Sequence, residues 1–236
     1  MNRQQQDNLS ALIRERDTKG VLDLLGGSYD FTTDEAGVVN AATWYGDIAL
    51  LRHALDSGGS ARNEGMNGHP LGIASAMGRL DFVALLLERD APIDAKNSHG
   101  QTALVLAASA GKLPVVKALV KRGAKLTGAL YAASEALHVP LVKYLIEVGA
   151  DLDEVSEDGN ELTPLLTACS RGKKKGSEIA LLLLRAGARA DYVRQDDGMS
   201  AIKFALWGQC SKDVLAELQV RGSPTIEPGF PIIRLV

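Results

Sequence analysis

One phrase of small and apolar residues recurs along this chain at a regular spacing. In its clearest copy Thr102 precedes an alanine pair at 107–108, and the aliphatic block that follows ends at Gly123. Leu71 and Leu104 occupy the same place in two copies that lie 33 residues apart. A fixed period of this size is typical of a solenoid, in which each unit contacts only its neighbours and which usually works by binding.

Each copy carries local signals for a pair of helices. Thr163 can cap a helix N-terminus, and Pro164 follows where its missing N–H costs nothing, a combination that contributes about 1 kcal/mol. Alanine recurs at one place in the first helix, where a larger side chain would force adjacent units apart: Ala42, Ala74, Ala107, Ala133, Ala168 and Ala205. Glycine recurs where the second helix ends, because it adopts the left-handed conformation freely: Gly58, Gly123, Gly149, Gly187 and Gly222, with Asp90 in the equivalent place.

These segments resemble ankyrin repeats, whose pattern is roughly G-x-T-P-L-H-x-A-A-x-x-G followed by an aliphatic helix and G-A-D. Thr163 to Leu165 and Gly149 to Asp151 match that pattern. Six units begin near Val38, Pro70, Ala103, Ala129, Pro164 and Ala201, so the resemblance covers residues 34–223. It implies an all-α solenoid of stacked helix pairs with short hairpin fingers, whose concave groove binds another protein. We expect residues 1–236 to form a single domain of this kind.

Both ends of the array depart from the pattern, as terminal units of a solenoid must. Two short helical patterns between Asn8 and Leu25, broken at Lys19 and Gly20, predict an N-terminal helical cap within residues 1–33. The segment 224–236 holds three prolines among large apolar residues and cannot continue as helix. This tail either folds over the last repeat or offers a linear motif to a partner.

Two irregularities interrupt the array. Gly123 and Gly149 lie only 26 residues apart, so residues 125–127 leave no room for a finger, which predicts a notch at mid-array. The fifth unit instead gains the basic segment 171–176, which we expect to be a loop between its two helices. The lysines of this loop are either solvated or a docking patch for acidic partners or nucleic acid.

The resemblance also indicates where a partner would bind. In this family the two residues after the paired small residues face the groove, and the finger tips line its edge. The partner-binding candidates are Trp44, Tyr45, Met77, Glu135, Arg171 and Trp207 on the helices, with His99, Gln101, Asp158, Asp196 and Asp197 on the fingers. Tryptophan and tyrosine are frequent interface hot spots. The alternative is that each tryptophan packs beneath a terminal cap.

The fingers of the second half carry an excess of negative charge. They hold Asp151, Asp153, Glu154, Glu157, Asp158, Glu161, Asp191, Asp196 and Asp197, opposed only by Arg189 and Arg194. Charge of one sign on a rim accelerates association with a partner of opposite charge. A basic protein surface is therefore the complementary partner, unless these loops are simply solvated.

Composition excludes several classes of function. A net charge of −3 and the lack of a basic, aromatic-rich stripe argue against nucleic-acid binding. No stretch of about 20 apolar residues predicts a membrane span, and the two cysteines suit a reducing compartment, so we expect a cytoplasmic monomer. The four histidines have no partners at metal-ligand spacing, and no catalytic constellation is present, which predicts neither cofactor nor metal.

The sequence therefore favours a non-catalytic module for protein–protein interaction. One alternative is an inhibitor or immunity-type protein that blocks a basic enzyme. A second alternative is the regulatory subunit of an enzyme.

Overall fold

The chain forms helices throughout the parts that the structure describes. The computed structural model describes residues 3–27, 29–33, 37–62, 68–156 and 159–223. In chain order the helices are α1 (Arg3–Glu15), α2 (Thr18–Leu25), α3 (Val38–Tyr45), α4 (Ile48–Asp56), α5 (Pro70–Met77), α6 (Leu80–Glu88), α7 (Ala103–Ser109), α8 (Leu113–Lys121), α9 (Ala129–Glu135), α10 (Val139–Glu147), α11 (Pro164–Arg171), α12 (Lys173–Ala186), α13 (Ala201–Trp207) and α14 (Lys212–Val220). The predicted all-α class is confirmed, and the six repeats begin at the predicted residues.

The chain divides into two compact units, residues 1–124 and 125–236. The first contains the α1–α2 pair and three repeats, and the second contains three further repeats, α9–α10, α11–α12 and α13–α14. In both units the first helices pack side by side through the recurrent alanines, all six of which are fully buried. That all six units form one domain stays a prediction.

Side-chain caps start two of the predicted helices. The Thr102 hydroxyl oxygen accepts the N–H of Val105 at 3.3 Å, and the Thr163 hydroxyl oxygen accepts the N–H of Leu166 at 3.2 Å. His69 stands at the same place before α5 but makes no cap bond there, and its Nδ1 lies 3.1 Å from the Arg62 carbonyl oxygen. The predicted cap by Thr163 is confirmed, Thr102 caps α7 in the same way, and His69 occupies the equivalent position without capping α5.

Left-handed residues end the second helices, as the glycine pattern predicts. Gly123 and Gly187 follow α8 and α12 with φ of 86° and 105°. Asp90 takes the same conformation after α6, with φ of 58°. Because a side chain is strained in this region, the departure at Asp90 carries a cost of about 1 kcal/mol.

The break in the N-terminal pair lies earlier than predicted. The two helices separate at Arg16 and Asp17, not at Lys19 and Gly20. Arg16 turns the chain with a φ of 59°, and an Asp17 carboxylate oxygen accepts the N–H of Gly20 at 2.9 Å. Gly20 therefore lies inside the first turn of α2, where a Cβ atom would come within 2.3 Å of that carboxylate.

The basic insertion of the fifth repeat is also not a loop. Residues 173–176 form the first turn of α12, which spans 14 residues where the second helices of the other repeats span nine. Lysine is a good helix former, so the inserted residues extend the helix in preference to forming a separate loop. The prediction of a loop from Arg171 to Gly176 was wrong for this reason.

Between α8 and α9 the chain runs through residues 122–128 only, whereas α6 and α7 are separated by residues 89–102. Gly128, the residue before α9, has no side chain with which to cap that helix. Both carboxylate oxygens of Glu154, from the next connection, accept the Gly128 N–H at 2.9 and 2.8 Å. A carboxylate at a helix N-terminus is favoured by the helix dipole.

The predicted tail, 224–236, lies outside the described residues.

Candidate functional site

The aromatic pair at the end of α3 has two different environments. Trp44 is 40% exposed and is therefore available to a partner. Tyr45 is partly buried, and its hydroxyl oxygen accepts a hydrogen bond of 3.0 Å from Arg14 Nε of α1. The Arg14 guanidinium also lies 5.8 Å from the centre of the Tyr45 ring. Tyr45 thus joins the cap to the first repeat and shows only part of its ring to solvent.

Two arginines hold the last turn of α3. Arg79 donates to the carbonyl oxygens of Thr43 and Trp44, the latter at 2.9 Å, and Arg16 Nε donates to the Tyr45 carbonyl oxygen at 3.0 Å. A helix C-terminus lacks partners for its final carbonyl groups, and these guanidinium groups supply them. Burial lowers the pKa of Arg79 and the charge of Arg16 lowers it further.

Gly46 makes room for this arrangement. A Cβ atom at that position would lie 2.9 Å from Arg79 Cζ. The Arg79 guanidinium also lies 5.4 Å from the centre of the Phe82 ring, which adds a cation–π contact. Sequence reasoning missed the role of Arg79. The sequence feature that could have indicated this role is a basic residue directly after Gly78, at the place where Lys112 follows Gly111 in the next repeat.

The other candidates of the first unit lie on α5 and on the finger before α7. Met77 is partly buried at the last turn of α5. In the finger, the Asn97 side-chain oxygen accepts the N–H of His99 at 3.0 Å and that of Gln101 at 2.9 Å. This bonding fixes the tip, with His99 exposed and Gln101 partly exposed.

In the second unit Trp207 is the most exposed aromatic candidate. It ends α13 with 67% of its surface exposed, and its ring centre lies 6.2 Å from that of Phe204. The next residue, Gly208, approaches the end of α11 so closely that a Cβ atom would lie 2.1 Å from the Cys169 carbonyl oxygen. This backbone contact fixes the turn that carries the indole.

The two cysteines meet beneath this turn. Cys210 Sγ donates to the Cys169 carbonyl oxygen at 3.4 Å, and both side chains are buried. The hydrogen bond to Cys210 and complete burial raise the pKa of the Cys169 thiol well above its usual value. Cys169 is therefore a protonated, buried packing residue.

The sequence predicts that Glu135 and Arg171 bind a partner. In the structure their side chains bind each other. Their side chains form an ion pair of 3.0 Å and are each about half exposed, at 46% and 50%. An exposed pair of this kind contributes about 0–1 kcal/mol. A partner that binds either residue must therefore compete with a weak interaction within the protein.

The acidic fingers are partly engaged in holding themselves together. Asp191 pairs with Arg189 at 3.1 Å, and both Asp196 and Asp197 pair with Arg194, at 2.6 and 3.0 Å. These arginines lower the pKa of Asp191 and of Asp196.

Two further carboxylates bind backbone groups of the next finger. Asp153 accepts the N–H of Arg189 at 2.8 Å, and Glu161 accepts the N–H of Gln195 at 3.3 Å. Across both fingers, seven described carboxylates face two arginines, so an excess of negative charge remains. The candidate Asp158 lies outside the described residues.

The described residues bring no three potential metal ligands together. Within the same residues, no helix combines the length and the apolar character needed to cross a bilayer.

Comparison with known proteins agrees with the pattern of repeats. The family model described as ankyrin repeats (3 copies) matches residues 39–128 and again residues 129–221. The curated proteins that are similar over part of the chain include three E3 ubiquitin-protein ligases of plants. The E3 ubiquitin-protein ligase XB3 of Oryza sativa subsp. japonica is 45% identical over 56 residues, which are 24% of this chain and 12% of that protein.

The probable E3 ubiquitin-protein ligase XBOS33 of the same plant is 36% identical over 118 residues, or 48% of this chain and 22% of that protein. The putative E3 ubiquitin-protein ligase XBAT31 of Arabidopsis thaliana is 36% identical over 89 residues, or 36% of this chain and 20% of that protein. The matched part of this chain thus spans between 12% and 22% of the length of these relatives.

Proposed function

The chain belongs to the ankyrin-repeat family, and from this premise we propose that it is a non-catalytic module that binds another protein through the exposed ends of its first helices. The observation that carries this proposal is the exposure of both tryptophans, 40% at Trp44 and 67% at Trp207. Exposed tryptophan is a frequent centre of protein interfaces, because its large rigid surface is buried at low entropic cost. We further propose that the protein acts as a monomer in the cytoplasm.

Quantitative affinity capture from native lysate tests this proposal with the full chain as bait. Trp44→Ala and Trp207→Ala are the test variants. Val220→Ala is the matched control, because Val220 is 84% exposed but ends α14, the second helix of its repeat, and not a first helix. Tyr45 is left intact, since its bond to Arg14 makes its removal a change in stability as well as in surface.

We expect proteins captured by the unaltered chain and by the Val220 variant to be lost with one or both tryptophan variants, at unchanged helical circular dichroism. A truncated hot spot costs about 2 kcal/mol or more, which is roughly a thirtyfold loss of affinity. Capture that is equal for all four proteins would refute the proposal.

The excess of acidic finger residues favours one alternative, an inhibitor that occludes a basic enzyme. Steering by such a rim raises the association rate and is screened by salt. Binding to a basic protein should then show an association rate that falls steeply between low and physiological ionic strength. A rate independent of salt would exclude this alternative.

The names of the curated relatives state a ligase function for those proteins. Because the similarity covers only their ankyrin regions, it supports the binding role of this chain and does not extend to ligase chemistry.

A further inference from the structure

Three consecutive lysines form an exposed cationic surface at the start of α12. Lys173, Lys174 and Lys175 are all exposed, and no side-chain bond links any of them to another described residue. Three other cations of this unit, Arg171, Arg189 and Arg194, each pair with a carboxylate. We refer to residues 173–175 as the lysine patch.

The lysine patch does not stabilise the helix that carries it. Positive charge at a helix N-terminus opposes the helix dipole. The first turn of α12 contains no acidic residue, and Gly172 supplies no side-chain cap. Glu178, the nearest carboxylate along α12, pairs at 3.7 Å with Lys143 of α10. The helix dipole therefore does not favour these three charges.

The lysine patch is joined through the backbone to the turn that follows Trp207. The Lys173 N–H donates to the Gly208 carbonyl oxygen at 3.2 Å, and Gly208 directly follows Trp207. Gly172 permits this contact, since a Cβ atom there would lie 1.6 Å from that same oxygen. The start of α12 and the end of α13 are thus joined through backbone.

An open depression borders this junction. It is lined by Lys173, Lys174, Leu181, Gln209 and Ser211, with Glu178 also on its wall. Lysine stems and Leu181 offer apolar surface, while the ammonium groups offer charge. The depression therefore offers apolar surface and two ammonium groups beside one carboxylate, and the turn at its edge carries Trp207 one residue before Gly208.

The acidic fingers lie at the other ends of the same helices. The finger residues 188–200 precede α13, whereas Trp207 ends it, and seven helical residues span about 10 Å. Trp207 and the start of α12 therefore lie at the opposite end of α13 from these acidic residues.

We propose that the lysine patch and Trp207 together form a docking surface for an acidic segment of a partner protein. This inference rests on the proposed function and names the chemistry of the partner at one of its two tryptophans. Charge complementarity selects the occupant, because an acidic segment with an apolar residue would neutralise the lysines and cover the indole.

Fluorescence anisotropy with the full chain tests this inference. The probe is a short fluorescein-labelled peptide of alternating glutamate and leucine, with the lysine–leucine peptide of the same length as its charge-reversed counterpart. The test variants are the double substitution Lys174→Gln with Lys175→Gln and the single substitution Trp207→Ala. The matched control is Lys121→Gln with Arg122→Gln, which removes the same charge from two exposed residues at the end of α8.

We expect the acidic peptide to bind the unaltered chain and the control variant with equal affinity. The basic peptide should bind both proteins no more tightly than the acidic peptide does. Removing the two lysines should weaken binding of the acidic peptide about fivefold at roughly 0.15 M salt, and removing the indole should weaken it by at least as much. The melting temperature of each variant should be no more than about two degrees below that of the unaltered chain, since neither site stabilises a helix.

Three results would overturn the inference: no binding of the acidic peptide, an equal loss in the control, or tighter binding of an oligothymidylate or of phosphatidylserine vesicles than of the peptide. The capture experiment with Trp44→Ala does not involve the lysines. If capture depends on tryptophan while the acidic peptide fails to bind, the partner class is wrong and the binding function stands.

Discussion

Arg79 provides the sharpest test of how the first unit is held together. Substitution of Arg79 by methionine keeps the length of the aliphatic stem but removes the guanidinium. The carbonyl oxygens of Thr43 and Trp44 then lose their Arg79 donor, and the cation–π contact with Phe82 is lost as well.

The expected loss follows from these contacts. A hydrogen bond from a charged donor contributes about 1.5–3 kcal/mol when buried, and less when water can replace it. The bond to Thr43 is partly buried and the bond to Trp44 is exposed. With an exposed cation–π contact worth about 0.5 kcal/mol, we expect Arg79→Met to lower the free energy of unfolding by about 2 kcal/mol.

Urea unfolding followed by circular dichroism measures this change. The matched control is Lys112→Met, because Lys112 stands at the same place in the next repeat and packs its stem over Gly78. Its ammonium makes no bond to a described side chain or carbonyl, so the control should cost less than about 0.5 kcal/mol. Equal losses in the two variants would refute the view that Arg79 completes the end of α3.

A double-mutant cycle with Gly46 adds a second, independent check. Gly46→Ala introduces strain at a φ of 84° and places Cβ 2.9 Å from Arg79 Cζ. Removing the guanidinium relieves the close contact with Cβ but not the backbone strain. We therefore expect Gly46→Ala to cost less in the Arg79→Met background than in the unaltered chain, by about 0.5–1 kcal/mol. Strict additivity would show that the two positions do not interact.

Three further predictions concern the second unit. Gly172→Ala should lower the free energy of unfolding by more than about 3 kcal/mol, because its Cβ would overlap backbone atoms. Gly187→Ala should cost about 1 kcal/mol, because φ is positive there but open space surrounds the added Cβ. Glu154→Ala should cost about 1–2 kcal/mol in the same assay by removing the acceptor at the start of α9. Arg194→Gln should raise the pKa of Asp196 toward its ordinary value in a carboxyl-carbon NMR titration, since the arginine lowers that pKa; an unchanged titration would contradict the ion pair.

The repeated units could be predicted from sequence because their signals are local. The starts of all six first helices, the buried alanines and the left-handed glycines each depend on a short stretch of chain. A capping threonine such as Thr163 acts three residues away, and a glycine such as Gly187 acts on its own helix. Local physics of this kind is visible in a single sequence.

The contacts that build the candidate surfaces could not be predicted, because they join residues of different repeats. Arg79 reaches Thr43 across 36 residues, and Glu154 reaches Gly128 across 26. The acidic finger residues showed the same limitation. Their excess charge was visible in the sequence, but their ion pairs with Arg194 were not. The lysine segment was misjudged for another reason, since its charge pattern suggested a loop while its helix propensity prevailed.

The exposure of the two tryptophans does not have the same meaning at both sites. Trp207 ends α13 in the last helix pair that the structure describes, so among the described residues it has a neighbouring repeat on one side only. Trp44 ends α3, where α1 lies on one side and α5 on the other. Arg79 donates a hydrogen bond to the Trp44 carbonyl oxygen, yet the Trp44 residue remains 40% exposed. Because helices on both sides of Trp44 could have buried it, a loss of binding on Trp44→Ala is the stronger support for a recognition surface. For Trp207, which has a described neighbour on one side only, the lysine variants are needed to distinguish a binding site from an exposed helix end.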